Sequence, residues 1–283
     1  MIYSVENSAY TLAVKEMGAE LTSLKSKKSG FEYIWNGNTD IWYGQSPILF
    51  PIIGRLLDDK YRLNGVEYTM PKHGIVRKKP FKLIKQTADS LTFIQTDDEE
   101  SFKIYPYRFE LTVEFKLTDN GLSVTHTVHN KSENVMYYSF GAHPAFNCEI
   151  GDRLEFSENE NLLTERIDAD SILVDEKFPV DIEGNKLYIT KNLFDNDALI
   201  LSGYKSNSVS LKSDNHNRVV KFNFDSPILG IWAKPGAPYV CIEPWWGIND
   251  SYDKKADISE KRAIMTLDPD AKASYNWTVE ICE

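Results

Sequence analysis

The sequence predicts an all-β protein, a large antiparallel β-sandwich. Three observations predict it. Short apolar-alternating runs recur along the chain, turn signals punctuate them at hairpin spacing, and no long amphipathic helix interrupts them. An aromatic content of 12% adds to the strand bias, because flat rings pack well on a pleated face.

In order, the alternating runs are 10–14, 83–84, 91–94, 109–117, 122–128, 209–211 and 219–224, and each reads as a strand. Between them lie Lys28-Ser29-Gly30, Asn64-Gly65, Asp119-Asn120-Gly121 and Glu183-Gly184-Asn185, which supply residues that tolerate positive φ. Helix is confined to two short candidates, 167–170 and 259–263. The acidic run Asp97-Asp98-Glu99-Glu100 reads as a solvated loop. Without a Pro/Ser/Gly-rich linker or a repeat of about 20 to 50 residues, the expectation is a single domain over 1–283.

At 283 residues and 42% hydrophobic content the chain can bury a core without disulfides or structural metal. A net charge of -10 with no long basic run argues against nucleic acid and anionic membranes as partners. Cys148, Cys241 and Cys282 are odd in number and widely spaced, matching neither a zinc pattern nor a redox pair. With no leader-like or membrane-length apolar stretch, the expectation is a cytoplasmic protein.

Three segments carry candidate chemistry. In Ser139-Phe140-Gly141-Ala142-His143-Pro144-Ala145-Phe146-Asn147, the proline biases His143 away from helix, so its imidazole projects from a strand end at a set angle. For a lone histidine there, burial against backbone carbonyls is the commoner explanation. In Val240-Cys241-Ile242-Glu243-Pro244-Trp245-Trp246, a carboxylate ends an apolar strand beside two indoles. It must be hydrogen-bonded or have its pKa raised, and the second suits a general base. A structural ion pair is the plain alternative. In Phe50-Pro51-Ile52-Ile53-Gly54-Arg55 and Lys72-His73-Gly74-Ile75-Val76-Arg77, Arg55 offers a planar donor fork and His73 sits at a tight loop. Either is also compatible with a salt bridge or turn. Jointly these groups suit a small-molecule sugar, whose hydroxyls need polar partners and whose CH face packs on rings. A P-loop, a dinucleotide fingerprint, a nucleophile elbow and a His-Glu-x-x-His helix are all missing.

At these residues the chain resembles the galactose-mutarotase-like superfamily, the aldose 1-epimerases, and within it the bacterial LacX-type branch. The resemblance runs nearly end to end. It covers Gly18-Ala19-Glu20-Leu21, Tyr33-Ile34-Trp35, Trp42, the 46–55 segment ending in Gly54-Arg55, Gly141-Ala142-His143-Pro144-Ala145-Phe146-Asn147 and Ile242-Glu243-Pro244-Trp245. His-Pro-x-Phe-Asn and Glu-Pro-Trp are its specific parts. The resemblance implies a sandwich of many strands with an open cleft, and acid/base chemistry at an anomeric carbon with no cofactor and no metal. It places the general acid on His143, the general base on Glu243, and hydroxyl binding on Arg55 and His73. Asp197 looks like the family's substrate-binding Asp, with Asp195 nearby as the other candidate. For neutral pH, the expected resting state is a protonated His143 and an ionised Glu243.

The compact His73-Gly74-Ile75-Val76-Arg77 departs from the longer His-Gly-Gly segment usual in mutarotases and looks more like hexose-6-phosphate epimerases. Lys72, Lys78 and Lys79 lie close by. A phosphorylated sugar is thus an open alternative, as is a non-catalytic sugar-binding protein. A glycoside hydrolase would need a second well-placed carboxyl. Edge strands are free to pair between subunits, leaving a homodimer open.

Overall fold

The computed structural model describes residues 1–253 and 257–283. Among them, two large antiparallel sheets dominate. The nine-stranded sheet runs in the order Lys186–Tyr188, Arg153–Phe156, Ser208–Lys212, Val219–Phe224, Lys272–Cys282, Gly121–Asn130, Phe109–Thr118, Ser90–Thr96, Lys82–Gln86. The eight-stranded sheet runs Leu173–Pro179, Leu163–Ile167, Leu199–Ser202, Ile228–Trp232, Tyr239–Trp246, Phe140–Ala142, Ile48–Leu49, and Ala145–Asn147 also pairs with Tyr239–Trp246.

Alternation explains how the sheets meet. Successive side chains leave opposite faces of a strand, so Phe146 and Phe140 from the eight-stranded sheet reach Phe222 at 5.9 Å and Tyr275 at 4.7 Å in the other. Leu199, Leu201, Leu229 and Ile231 join the same core. The opposite face of the eight-stranded sheet carries a smaller apolar cluster that includes Leu49, Ile53, Ile200, Ile228 and Trp245. That outer face holds the cleft.

All seven expected strands form, within Tyr10–Lys15, Lys82–Gln86, Ser90–Thr96, Phe109–Thr118, Gly121–Asn130, Ser208–Lys212 and Val219–Phe224. Asn64 and Gly65, with φ of 52° and 81°, close the two-residue hairpin between Lys60–Leu63 and Val66–Thr69, as two consecutive positive-φ residues do in tight hairpins. The helix expectations fare worse. Ile167 ends a strand and the residues after it turn, because Asp168 Oδ1 accepts from the amides of Asp170 and Ile172 at 2.9 and 3.0 Å. A side chain that captures nearby amides competes with the helix ladder. The expected helix at 259–263 reduces to the single 3-10 turn Ile258–Glu260. The acidic run is loop only at Asp97 and Asp98: Asp98 caps the helix Glu99–Ile104, accepting from Ser101 N at 2.7 Å while Ser101 Oγ accepts from Asp98 N at 2.8 Å. Its carboxylates favour the positive end of that helix. Among the described residues no helix is long and apolar enough to cross a membrane.

Candidate active site

The strand Tyr239–Trp246 sets out the floor of the cleft. Its alternation sends Tyr239, Cys241, Glu243 and Trp245 to the outer face. The neighbouring strand Ile228–Trp232 places Gly230 opposite Glu243 and Trp232 opposite Cys241. Gly230 is needed there, because a Cβ would lie 2.9 Å from the Trp245 indole and 3.3 Å from Glu243 Cβ. Gly141 leaves room on the same indole, where a Cβ would lie 2.9 Å away. So seated, Trp245 Nε1 donates to Glu243 Oε2 at 3.2 Å.

His143 stands between the strands Phe140–Ala142 and Ala145–Asn147. Its backbone N–H donates to Pro47 O at 3.1 Å, and Ile242 N donates to Pro144 O at 3.1 Å, tying the segment to both sides of the cleft. Trp42 stacks on the imidazole at 5.1 Å, while Trp232 and His73 meet it edge-on at 5.8 and 6.1 Å. The ring points Nε2 at Glu243 Oε2, 3.3 Å away. Both side chains are buried.

Burial acts on the pair in one sense. Desolvation, with the positive charges of Arg77 and Lys72 adding to it, pushes His143 down to about 3. Desolvation also raises Glu243 well above the usual carboxylate value, reinforced by the Asp197 charge and opposed by the Trp245 hydrogen bond. Low polarity penalises each charged form. Both shifts oppose the charged pair that the sequence leads one to expect, favouring a neutral imidazole and an un-ionised carboxyl.

Trp42, Lys72, His73, Arg77, His143, Asp197, Trp232, Lys234 and Glu243 line one cavity of about 320 Å³, at the small end of ligand pockets. The structure thus brings together four of the five residues singled out. His73, at φ 63°, accepts from Gly54 N on Nδ1 at 3.1 Å, which leaves Nε2 as its protonated nitrogen. Gly74 follows at φ 75°, where a Cβ would lie 2.1 Å from Phe50 O. Asp197 lines the cavity and Asp195 does not. Asp197 Oδ1 accepts from Ala198 N at 2.7 Å, which fixes the carboxylate. Arg55 is the one left out. Its Nε and Nη2 each donate to Asp59 at 2.7 Å and its Nη1 to Asp170 O at 3.2 Å, so its fork is committed outside the cavity wall. Lys72 and Arg77 stand in the cavity instead. Lys72 donates to Ser171 Oγ at 2.8 Å and Arg77 Nη2 to Lys72 O at 2.9 Å, while Arg77 Nε is buried without a hydrogen-bond partner among the described residues.

With this geometry in view, the comparisons with known proteins decide the family. The aldose 1-epimerase family model matches residues 1–277. The chain belongs to the aldose 1-epimerase family. It is 33% identical to the chromosomal Protein LacX of Lactococcus lactis subsp. lactis, over 99% of each chain. A galactose mutarotase-like protein from Lactobacillus casei superposes with a TM-score of 0.95 at 31% identity over the whole of both chains. A galactose mutarotase related enzyme from Lactobacillus acidophilus gives 0.94 at 31% identity, covering 100% of this chain and 98% of that one. Family membership makes the protein an enzyme acting on carbohydrates, on a galactose mutarotase-like fold.

Sequence reasoning passed over Trp232 and Lys234 as cleft residues. Trp232 faces the cavity through strand register, and register is not written in the local sequence. An aromatic ending the apolar run Ile228–Trp232 was the available signal for the first.

Proposed function

We propose that the cleft interconverts the α and β anomers of a free hexose, with His143 as general acid and Glu243 as general base. The observation that carries this reading is the 3.3 Å contact of His143 Nε2 with Glu243 Oε2 inside an aromatic-walled cavity of about 320 Å³. That volume suits one sugar ring, and Trp42 and Trp232 offer flat surfaces for its CH face.

The chemistry needs two coordinated proton transfers. Glu243 takes the proton of the anomeric hydroxyl while His143 gives one to the ring oxygen, and the hemiacetal opens to a carbonyl. Rotation about the bond between the first two carbons exposes the other carbonyl face. Closure returns both protons. For these roles the proton resting on Glu243 crosses to His143 when the sugar binds, as hydroxyl groups replace the hydration that burial removed. His73, Asp197 and Lys72 supply hydroxyl partners.

Polarimetry of freshly dissolved α-D-glucose and α-D-galactose tests the reading. Removing one acid/base group costs about a hundredfold to ten-thousandfold, so His143→Ala and Glu243→Ala are each expected to lose at least about a hundredfold in rate. A folded variant of either kind that mutarotates at the normal rate overturns it.

A second reading, a hexose 6-phosphate as substrate, is supported by the cations in the cavity. Lys72, Arg77 and Lys234 line it, and Arg77 Nε, a buried donor with no acceptor among the described residues, is open to a phosphate oxygen. If the substrate is phosphorylated, Arg77→Ala raises KM for glucose 6-phosphate by tenfold or more, on the order of one charge-assisted hydrogen bond, and leaves glucose unaffected. Equal effects on both sugars count against this reading.

A further inference from the structure

The outer face of Tyr239–Trp246 presents one group that the epimerase reading leaves unused. Cys241 lies two residues before Glu243, on the same face, and is fully buried. One ligand atom each from His143, Cys241 and Glu243 lies within 4.8 Å of the other two. The imidazole and carboxylate members of this trio are the 3.3 Å pair.

We propose that His143, Cys241 and Glu243 form a binding site for a thiophilic divalent cation of the zinc class, and that its occupancy inhibits the enzyme.

Donor chemistry selects the ion. Nitrogen, sulfur and oxygen together are a zinc donor set, whereas magnesium and calcium take oxygen ligands. Spacing agrees. With metal–ligand bonds of about 2.0–2.3 Å, ligand atoms around a tetrahedral ion lie about 3.3–3.6 Å apart, so the trio needs to close by about 1.5 Å at most. Charge agrees as well. A dication with one thiolate and one carboxylate is neutral overall, the arrangement a buried site tolerates best. Metal–sulfur and metal–oxygen bonds form as the thiol and carboxyl protons pass to water. Three protein ligands leave a fourth position open towards the cavity for water or a sugar oxygen. Asp197 attracts a cation to this cavity while Lys72, Arg77 and Lys234 oppose it, which favours binding through strong directional bonds over loose electrostatic capture.

Inhibition follows from what the ion occupies. An imidazole nitrogen whose lone pair is on a metal cannot carry a proton, and a coordinated carboxylate is a poor base. The inhibition half of the proposal rests on the acid/base reading of the dyad; the binding half does not.

Cobalt(II) titration of the metal-free full chain, followed by absorption spectroscopy, tests the binding half. The expected result is one equivalent bound per chain, with a thiolate-to-cobalt charge-transfer band. The band survives in the Cys148→Ser/Cys282→Ser double variant and disappears in Cys241→Ser or Cys241→Ala, each checked for a cooperative thermal melt. Absence of the band from the unsubstituted protein, or its loss in the double variant, overturns the site even if both Cys241 variants fail to fold. Polarimetry with added zinc tests the inhibition half, each protein scaled to its own uninhibited rate. Losing even an outer partner of a metal ligand costs about tenfold in affinity, so Cys241→Ser is expected to need at least about tenfold more zinc for half-inhibition, with full recovery on adding a chelator. Inhibition independent of Cys241 overturns the thiol's part. A chain that shows the band yet has no mutarotase activity keeps the site and refutes the proposed function.

Discussion

Burial moves both His143 and Glu243 towards the uncharged form. This fixes how the rate should depend on pH. The working dyad holds one proton, so activity fails when His143 gains a second proton, near pH 3, and when Glu243 loses the proton it has. We expect kcat/KM by polarimetry to stay level through about pH 6.5, the value of a free imidazole, with its alkaline limb above the usual carboxylate range. An alkaline limb centred near 6.5, where a solvated imidazole loses its proton, would show that burial does not control the pair. These two residues were legible in the sequence, because a histidine before proline and a carboxylate among indoles are conspicuous. Their protonation was not, since it depends on what packs around them. The partner of Arg55 was not legible for a related reason: the apolar run before it suggested a cleft, and Asp59, four residues on, takes its fork.

Strands carry the next level of control. Most were legible because one face of each meets a core, which prints a period of two on the sequence. Short local contests were not legible. Asp168 turns the chain where a helix was expected, and Asp98 starts a helix where a loop was expected. Both outcomes turn on which amide one carboxylate captures. Glycines in paired strands matter for the same positional reason. Gly230 lies opposite Glu243 and under the Trp245 indole, so Gly230→Ala should displace the indole and break its 3.2 Å hydrogen bond to Glu243. Overpacking of this kind costs about 1–3 kcal/mol. Chemical denaturation is expected to show that loss together with a reduced turnover; an unchanged rate would mean that Trp245 does not hold the base.

For the whole molecule, titration and folding are linked through both sheets. His126, in the nine-stranded sheet, is buried against Phe140 and held to about 3 by desolvation, as is His143 in the cleft. The unfolded chain protonates each near 6.5, so between pH 3 and 6.5 the unfolded state binds more protons and stability rises with pH. Each contribution is complete above the unfolded value and is lost as pH falls towards the folded one, at about 1.4 kcal/mol per pH unit. Glu243, raised on folding, runs the other way and offsets part of this. Urea denaturation at pH 7 and pH 5 should show the native protein losing stability in acid and His126→Gln losing less. Equal slopes for the two would remove His126 from the account. The sheet edges Lys82–Gln86 and Leu173–Pro179 are largely exposed and carry Lys82, Lys85, Asp175, Glu176 and Lys177. Charged edges resist strand-to-strand association.

The two halves of the cleft have different origins. His143 and Glu243 are held by the sheet interior, locked by register and by glycines that admit no side chain. Lys72, His73 and Arg77 belong to the short connection after Val66–Thr69, which lies outside the large sheets and lines the cavity. Change in that connection can redirect what is recognised while the proton-transfer pair stays in place. Descendants of one such ancestor can therefore diverge in diet without reinventing the reaction.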